Sequence, residues 1–209
     1  IPSQMFNAID SVPLTAIAFF MLTGELMTSA TITDRLVALS RALIGRIRGG
    51  LAQVNVLVSM FFAGMNGSVV ADTATVGALV LPAMKKAGYP AAFSAAVTGV
   101  SSTIGGIIPP SIMMIVLANS TEISIAALFA AGIIPGVLIG VVIMIINHYF
   151  AIKYNFERSD EPFSVRRAGR ELYRSSFALL IPLVLVGSVM GGVASVVEAG
   201  AITAMVALL

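Results

Sequence analysis

Two apolar stretches of this chain are interrupted by residues that break helices. Residues 51–84 are divided by a glycine-rich segment at 64–68, and residues 90–118 are divided at 101–111, a segment with two consecutive prolines. A double proline removes two backbone donors and ends a helix. Lipid cannot hydrogen-bond the freed backbone groups, so a membrane protein tolerates such breaks only where protein or water covers them. The chain must therefore fold so that other segments enclose both breaks.

Composition places these stretches in a membrane. Of the 209 residues 58% are hydrophobic and 11% are charged, whereas about 25% are charged in a typical soluble domain. A spanning helix needs about 20 apolar residues to cross a hydrocarbon core of about 30 Å. No stretch alternates with the period of a membrane barrel strand. We therefore expect an all-α polytopic membrane protein and exclude a water-soluble fold.

Several kinds of chemistry are disfavoured by what the sequence contains. It has no cysteine and a single histidine, His148, which excludes disulfides, thiol chemistry and a histidine-based metal cluster. The sequence has no phosphate-binding P-loop pattern. Its basic residues flank apolar runs and do not form a nucleic-acid stripe, so we expect no nucleic-acid partner. The arginine-rich stretch around Arg41 is best explained by contact with membrane lipid headgroups.

The alternation of apolar and charged runs predicts seven segments. The chain begins without a methionine and stops inside an apolar run, so we expect it to be part of a longer protein. The predicted segments are a transmembrane helix at 1–33, a cytoplasmic-side amphipathic arm helix at 34–50, a re-entrant hairpin at 51–89, a discontinuous transmembrane helix at 90–118, a periplasmic turn and transmembrane helix at 119–152, a charged cytoplasmic loop at 153–175 and a further helix at 176–209.

The distribution of positive charge decides between two topologies for residues 51–84. All twelve lysines and arginines lie in three clusters, at 35–48, 85–86 and 153–174, and the polar turn at 119–124 has none. If residues 51–84 enter and return as a hairpin, all three clusters lie on one side, as the positive-inside rule requires. A single broken span would place the first cluster in the opposite compartment. The charges favour a hairpin that opens to the cytoplasm.

The two breaks also concentrate polar side chains. Paired broken segments are the best sequence pointer to the substrate and ion site of a secondary transporter. Ser68 and Asp72 are four residues apart and share one helix face. An aspartate at membrane depth costs several kcal/mol unless it is paired or hydrated. The candidate ligands, whose hard oxygens suit Na⁺, are Asn66, Ser68, Asp72, Ser101, Ser102 and Thr103.

Three other interpretations remain open from the residues alone. Asp72 could cap a helix end without touching an ion, and the serines and threonines could be packing contacts. A serine in a glycine-rich turn, Ser68, could belong to an intramembrane protease, although that chemistry needs a base and His148 is predicted near the cytoplasmic surface. A passive channel is disfavoured, because paired broken hairpins imply an occluding site.

The two breaks and their flanks resemble a known family. The runs GMNGSVVADT at 64–73 and PAMKKAGY at 82–89 are similar to the hairpin signature of the large permease subunits of tripartite ATP-independent periplasmic (TRAP) transporters. The run SSTIGGIIPPS at 101–111 is similar to the unwound-helix signature of that family. Shorter matches are GELM at 24–27 and RGGLAQVN at 48–55. The resemblance covers nearly the whole chain.

The resemblance implies a fold, a function and partners. It implies an elevator-type, Na⁺-coupled importer of the ion transporter superfamily in the bacterial inner membrane, and not an enzyme. Two inverted repeats build such a protein, and this chain would hold the first repeat and the opening helix of the second. The implied partners are a small membrane subunit and a periplasmic binding protein. The implied substrates are small organic acids such as C4-dicarboxylates or sialic acid. A rival within the superfamily is a carboxylate symporter that needs no binding protein.

The resemblance also assigns roles to residues. Asn66, Ser68 and the run from Ser101 to Thr103 would line a Na⁺ site that Asp72 supports. The backbone at Gly105, Gly106, Pro109 and Pro110 would lie near the substrate carboxylate. Two positions depart from the family pattern, because many members have serine where Asn66 stands and proline where Gly106 stands. Asn66 still offers an oxygen, with a different geometry, and we expect the break to be more flexible at Gly106.

Overall fold

The regular structure of the described residues is entirely helical. The computed structural model describes residues 12–29, 32–156 and 164–208. The all-α class predicted from the sequence is therefore confirmed over these ranges. The helices are α1 (Val12–Ser29), α2 (Ile32–Ile44), α3 (Gly50–Asn66), α4 (Val69–Lys86), α5 (Ala91–Ser102), a 3-10 helix (Thr103–Gly106), α6 (Ile112–Thr121), α7 (Ile125–Lys153), α8 (Val165–Met190) and α9 (Val196–Ala207).

Helices α3 and α4 form a helical hairpin with a two-residue tip. Gly67 ends α3 in the left-handed conformation, with a φ of 58°, and its amide donates to the carbonyl of Ala63. Glycine adopts this conformation without the steric cost that a β-carbon brings. Ser68 then begins α4, since its side chain accepts a hydrogen bond from the amide of Ala71. The tip thus consists of one glycine that stops a helix and one serine that starts the next.

The second break separates α5 from α6. Helix α5 tightens into the 3-10 helix, and the chain then passes through Pro109 and Pro110, which are joined by a cis peptide bond. Ser111 starts α6: its hydroxyl oxygen accepts from the amide of Met114 and donates to the carbonyl of Gly106, 2.8 Å away. This serine therefore ties both ends of the break together.

Helix α3 lies at the centre of the structure. It contacts α2, α4, α5, α7 and the 3-10 helix, and most of its residues are buried. Its apolar side chains are the middle of the larger hydrophobic core, which includes Val54, Val58 and Phe62. Three polar residues of α3, Asn55, Ser59 and Asn66, are buried among them. Buried polar groups need partners, so these residues identify the part of the core where the site is built.

Two helices are long and apolar enough to cross a bilayer, among the residues that the structure covers. They are α7 and α8, and α1 with α2 makes a third if that bent pair forms one span. One side of α7 carries large apolar side chains that are exposed in this chain, among them Ile134, Leu138 and Ile145. An apolar surface of this kind suits contact with lipid or with another membrane segment.

The helix boundaries differ from the predicted segments at three places. Helix α2 ends at Ile44, before the predicted end of the arm at residue 50. Helix α8 begins inside the predicted charged loop, because Ser164 caps it and the arginines, glutamate and leucine that follow are good helix formers. The predicted helix at 176–209 is two helices, since Ser195 and Glu198 form a capping box that starts α9. Parts of the predicted segments at 1–33, 153–175 and 176–209 lie outside the described residues.

Candidate functional site

The structure brings the hairpin tip and the second break together. A β-carbon built on Gly67 would collide with the carbonyl oxygen of Pro110. A β-carbon built on Gly105 would lie 3.6 Å from the carbonyl carbon of Ser68. The two backbones therefore approach each other at positions that have no side chain to separate them. The two interruptions that the sequence singled out form one region of the molecule.

Asp72 is completely buried beside this junction. It lies in the first turn of α4, and its side chain has a relative exposure of 0%. Neither of its carboxylate oxygens has a hydrogen-bond partner among the described residues. The hydroxyl groups of Ser59 on α3 and Ser102 at the end of α5 lie beside the carboxylate. A buried carboxylate without partners is costly, so a group that satisfies it is expected at this position.

The two neighbouring hydroxyls give their protons to other acceptors. Ser59 Oγ donates to Ser101 Oγ at 3.3 Å, and Ser102 Oγ donates to the carbonyl of Thr98 at 2.8 Å. A serine hydroxyl has one proton, so with these two bonds made each hydroxyl offers its lone pairs to the space beside Asp72. Carboxylate and hydroxyl oxygens then converge as acceptors. We call Asp72, Ser59 and Ser102 the acceptor cluster.

A buried network of polar side chains fixes the orientation of these hydroxyls. Asn55 Nδ2 donates to Thr98 Oγ1 at 2.7 Å, and Ser101 Oγ lies 3.1 Å from Asn55 Oδ1. Thr98 Oγ1 in turn donates to the carbonyl of Ser94 at 2.9 Å. Thr98 therefore joins α5 to Asn55 on α3. The network locks the first helix of the hairpin to the helix that precedes the break.

Sequence reasoning did not find Asn55, Ser59 or Thr98. A signal was present, because Asn55 and Ser59 are four residues apart in one apolar helix and Thr98 and Ser102 are four apart in another. Residues with this spacing share a helix face. Polar pairs on one face of two apolar helices indicate that the two faces meet.

The residues predicted at the hairpin tip have structural partners of their own. Ser68 accepts from the amide of Ala71 at 3.4 Å, and its own amide donates to Asn66 Oδ1 at 3.1 Å. Asn66 is buried, and its Nδ2 has no hydrogen-bond partner among the described residues. Both side chains thus shape the tip, and a role for them in ion binding stays a prediction.

The residues predicted from the second break are distributed differently. Ser101 and Ser102 are buried within the network and the acceptor cluster. Thr103, in contrast, is exposed and donates its hydroxyl to the carbonyl of Val100 at 2.7 Å. It lies on the same side of the helix as Gly99 and Val100, which are also exposed. The backbone at Gly105 and Pro110 lies against the hairpin tip. The predicted contact of Gly105, Gly106, Pro109 and Pro110 with substrate stays a prediction.

The structure places the single histidine far from the tip serine. Gln53, near the start of α3, donates to the carbonyl of Met144 at 2.8 Å, so the end of α7 that carries His148 lies beside the start of α3. Ser68 follows the other end of α3. At 1.5 Å per residue the two levels are about 20 Å apart. His148 is therefore not positioned to act as a base for Ser68.

Comparison with known proteins identifies the family of this chain. The profile of the family described as "Tripartite ATP-independent periplasmic transporter, DctM component" matches residues 1–209. The chain belongs to this family. TRAP large permeases are membrane transporter subunits, which agrees with the apolar helices of the structure. The resemblance stated from the motifs is therefore confirmed.

Curated TRAP permeases from several bacteria align with almost the whole chain. The sialic acid TRAP transporter large permease protein SiaM of Vibrio cholerae is 35% identical over 98% of the chain. The 2,3-diketo-L-gulonate TRAP transporter large permease protein YiaN of Escherichia coli is 37% identical over 98% of it. The C4-dicarboxylate TRAP transporter large permease protein DctM of Pseudomonas aeruginosa is 35% identical over 97% of it. The alignments cover 48%, 48% and 47% of these relatives, so the chain spans about half the length of each.

Proposed function

We propose that this chain is part of a Na⁺-coupled importer of a small organic acid, and that the acceptor cluster holds the coupling ion. The observation that carries the proposal is the buried Asp72 carboxylate, whose two oxygens have no hydrogen-bond partner among the described residues. The neighbouring hydroxyls of Ser59 and Ser102 have their protons directed elsewhere. A site made only of acceptors attracts a cation.

The chemistry of the cluster suits Na⁺. Carboxylate and hydroxyl oxygens are hard ligands, which hard cations prefer and soft transition metals do not. A single carboxylate supplies one negative charge, which matches a monovalent cation and leaves a bound pair without net charge. Asp72, Ser59 and Ser102 would hold the ion. Bound there, it would neutralise the buried carboxylate and supply the positive charge that joins α4 to α3 and α5.

The packing of the region supports transport by movement of a rigid body. The network through Asn55 joins α3 to α5, and the hairpin tip packs on the second break. The hairpin and the break can therefore move together as one body, as an elevator mechanism requires. An ion that bridges α4, α3 and α5 would stabilise this body before it moves.

An ion gradient supplies enough free energy for concentrative import. If two Na⁺ moved inward down a tenfold gradient and about 100 mV, each would supply about 1.4 plus 2.3 kcal/mol. The total of about 7 kcal/mol, before the charge of the substrate is subtracted, supports accumulation by several powers of ten. Transport of this kind would need no ATP.

The substrate class and partners of the proposal follow from the family. Relatives are named for sialic acid, 2,3-diketo-L-gulonate and C4-dicarboxylates, all of them organic acids. We propose an acid of this kind as the substrate, with the backbone at Gly105, Gly106, Pro109 and Pro110 near its carboxylate. A small membrane subunit and a periplasmic binding protein would complete the transporter in the bacterial inner membrane.

Uptake into proteoliposomes tests the proposal. The full-length protein and its small membrane subunit are reconstituted, and labelled organic acids are offered with and without a Na⁺ gradient and with and without the binding protein. We expect uptake that requires both. Na⁺-driven uptake without the binding protein would assign the chain to carboxylate symporters of the simpler kind. Uptake that is independent of Na⁺ would overturn the assignment of the acceptor cluster as a Na⁺ site.

A matched pair of variants locates the ion. Asp72→Asn keeps the size of the side chain and removes its charge, and we expect it to abolish the Na⁺ dependence of uptake. Ser120→Ala removes an exposed hydroxyl that bonds only within its own helix, to the carbonyl of Val116, and serves as the control. Wild-type Na⁺ dependence in Asp72→Asn would contradict the proposal.

A further inference from the structure

The segment between the 3-10 helix and α6 is enclosed on two sides. One side faces the hairpin tip, where the carbonyl of Pro110 abuts Gly67. The other side faces α7, where Gly132, Gly136 and Gly140 recur every four residues. Residues four apart share one helix face, so α7 presents a side without side chains to the segment.

The glycines of α7 touch different parts of the neighbouring structure. A β-carbon built on Gly132 would lie 2.5 Å from the carbonyl oxygen of Ile107 and would also collide with the end of the Met114 side chain. A β-carbon built on Gly136 would collide with Cγ1 of Ile108. Van der Waals contact needs about 3.5 Å, so a single methyl group at Gly132 would displace the Ile107 carbonyl by about 1 Å.

We infer that Gly132 and Gly136 are positioning residues for the transport site. They set how far the segment of Ile107 and Ile108 lies from the hairpin tip. This inference rests on the proposed function, because the site that they position is the one proposed to hold the ion and the acid. Neither glycine touches the acceptor cluster itself, so each acts through the break.

A shift of the segment would be passed on to the tip. The amide of Ile108 donates to the carbonyl of Ile104 at 2.9 Å, and that of Ile112 donates to the carbonyl of Gly67 at 3.2 Å. The segment is therefore bonded to the 3-10 helix at one end and to the tip at the other. Interiors are close-packed and do not absorb such a displacement locally. The start of α4, with Ser68 and Asp72, would move with it.

The two glycines differ in how their contacts can be relieved. Gly136 meets a side chain, so Gly136→Ala combined with Ile108→Ala restores the space that the added methyl group occupies. Gly132 meets a backbone carbonyl, so shortening a side chain, as in Gly132→Ala with Met114→Ala, leaves the collision in place. The two pairs separate a collision with a side chain from one with the backbone, and the half-saturating Na⁺ concentration separates a shifted site from a loss of folded protein.

Two other glycines provide matched controls. The three atoms nearest to a β-carbon on Gly140, on the same helix, all belong to the flexible side chain of Met60, whose sulfur would lie 2.5 Å away. A β-carbon on Gly187 of α8 would meet nothing within 4 Å. Both replacements test the effect of an added methyl group in a helix without contact to the broken segment.

The experiment measures uptake by the full-length protein with its small subunit as a function of Na⁺ and of substrate concentration. We expect Gly132→Ala and Gly136→Ala to raise the half-saturating Na⁺ concentration by about tenfold or more, since misplacements of about 1 Å carry effects of that size. Ile108→Ala should bring the Gly136→Ala protein back to within about threefold of wild type, and Met114→Ala should not rescue Gly132→Ala. Gly140→Ala and Gly187→Ala should stay within about twofold of wild type.

The result that would overturn the inference is a wild-type half-saturating concentration of both Na⁺ and substrate in Gly132→Ala and Gly136→Ala. Equal effects of Gly136→Ala with and without Ile108→Ala would also overturn it. If Gly132→Ala does not fold, the Gly136 and Ile108 cycle decides. If the wild-type protein transports without Na⁺, the proposed coupling fails. The half-saturating substrate concentrations of Gly136→Ala, Ile108→Ala and the double variant then still test the positioning role.

Discussion

The amide nitrogen of Ile112 donates a hydrogen bond of 3.2 Å to the carbonyl oxygen of Gly67. This bond joins the first residue of α6 to the tip of a hairpin more than forty positions earlier in the chain. It uses a donor that the start of α6 leaves free and an acceptor that the end of α3 leaves free. Each break thus satisfies part of the backbone that the other exposes, which is how both are tolerated within an apolar protein.

The contact at Gly67 yields a prediction that separates backbone strain from collision. Gly67 and Gly88 both have positive φ, 58° and 78°, but a β-carbon on Gly88 would meet nothing within 4 Å. We expect Gly88→Ala to lower the free energy of unfolding by about 1–2 kcal/mol, the cost of the left-handed conformation. Gly67→Ala should cost more, because its β-carbon also meets the Pro110 carbonyl. Denaturant titrations of the full-length protein measure both losses. Equal losses of unfolding free energy in the two variants would refute the close approach of Gly67 to the Pro110 carbonyl.

Asn55 is predicted to matter for stability through the groups that it satisfies. Asn55→Ala removes the donor to Thr98 Oγ1 and one acceptor beside Ser101 Oγ, while both hydroxyls keep their bonds to the carbonyls of Ser94 and Thr98. Each lost hydrogen bond costs about 0.5–1.5 kcal/mol, so the two together cost about 1–3 kcal/mol. We expect a loss in this range in the free energy of unfolding, measured by denaturant titration. Ser176→Ala, at an exposed serine that bonds the carbonyl of Tyr173, should change it by less than about 0.5 kcal/mol.

The hydroxyls of the acceptor cluster should tune ion affinity. Ser59→Ala and Ser102→Ala each remove one oxygen beside Asp72 and leave its charge in place. We therefore expect each variant to raise the half-saturating Na⁺ concentration for uptake by about tenfold, which corresponds to about 1.4 kcal/mol. Maximal uptake at saturating Na⁺ should be retained. A wild-type Na⁺ dependence in both variants would show that these hydroxyls do not face the ion.

The two breaks could be predicted because their signals are local. The double proline at 109–110 removes two consecutive backbone donors, and Gly67 with Ser68 is a stop and a start that can be identified from residue type alone. The capping box of Ser195 and Glu198 is equally local, and the prediction of one helix over 176–209 overlooked it. Helix boundaries with such signals can be predicted from the sequence alone.

The candidate site could be predicted only in part. Asp72 stands out because a carboxylate in an apolar stretch is rare. Ser59 and Asn55 lie in α3 and become part of the site only because α5 packs against them, which the sequence of one helix does not specify. Thr103 lies outside the acceptor cluster because it is on the exposed side of α5 with Gly99 and Val100, four and three residues earlier.

Equilibrium binding of radioactive Na⁺ to the full-length protein with its small subunit tests the central claim most directly. Wild type and Asp72→Asn are compared at constant ionic strength with choline as the replacing cation. The acceptor cluster predicts that Asp72→Asn binds at least one Na⁺ fewer per protein than wild type. An unchanged number of bound ions with unchanged affinity would contradict the assignment of a Na⁺ site to Asp72.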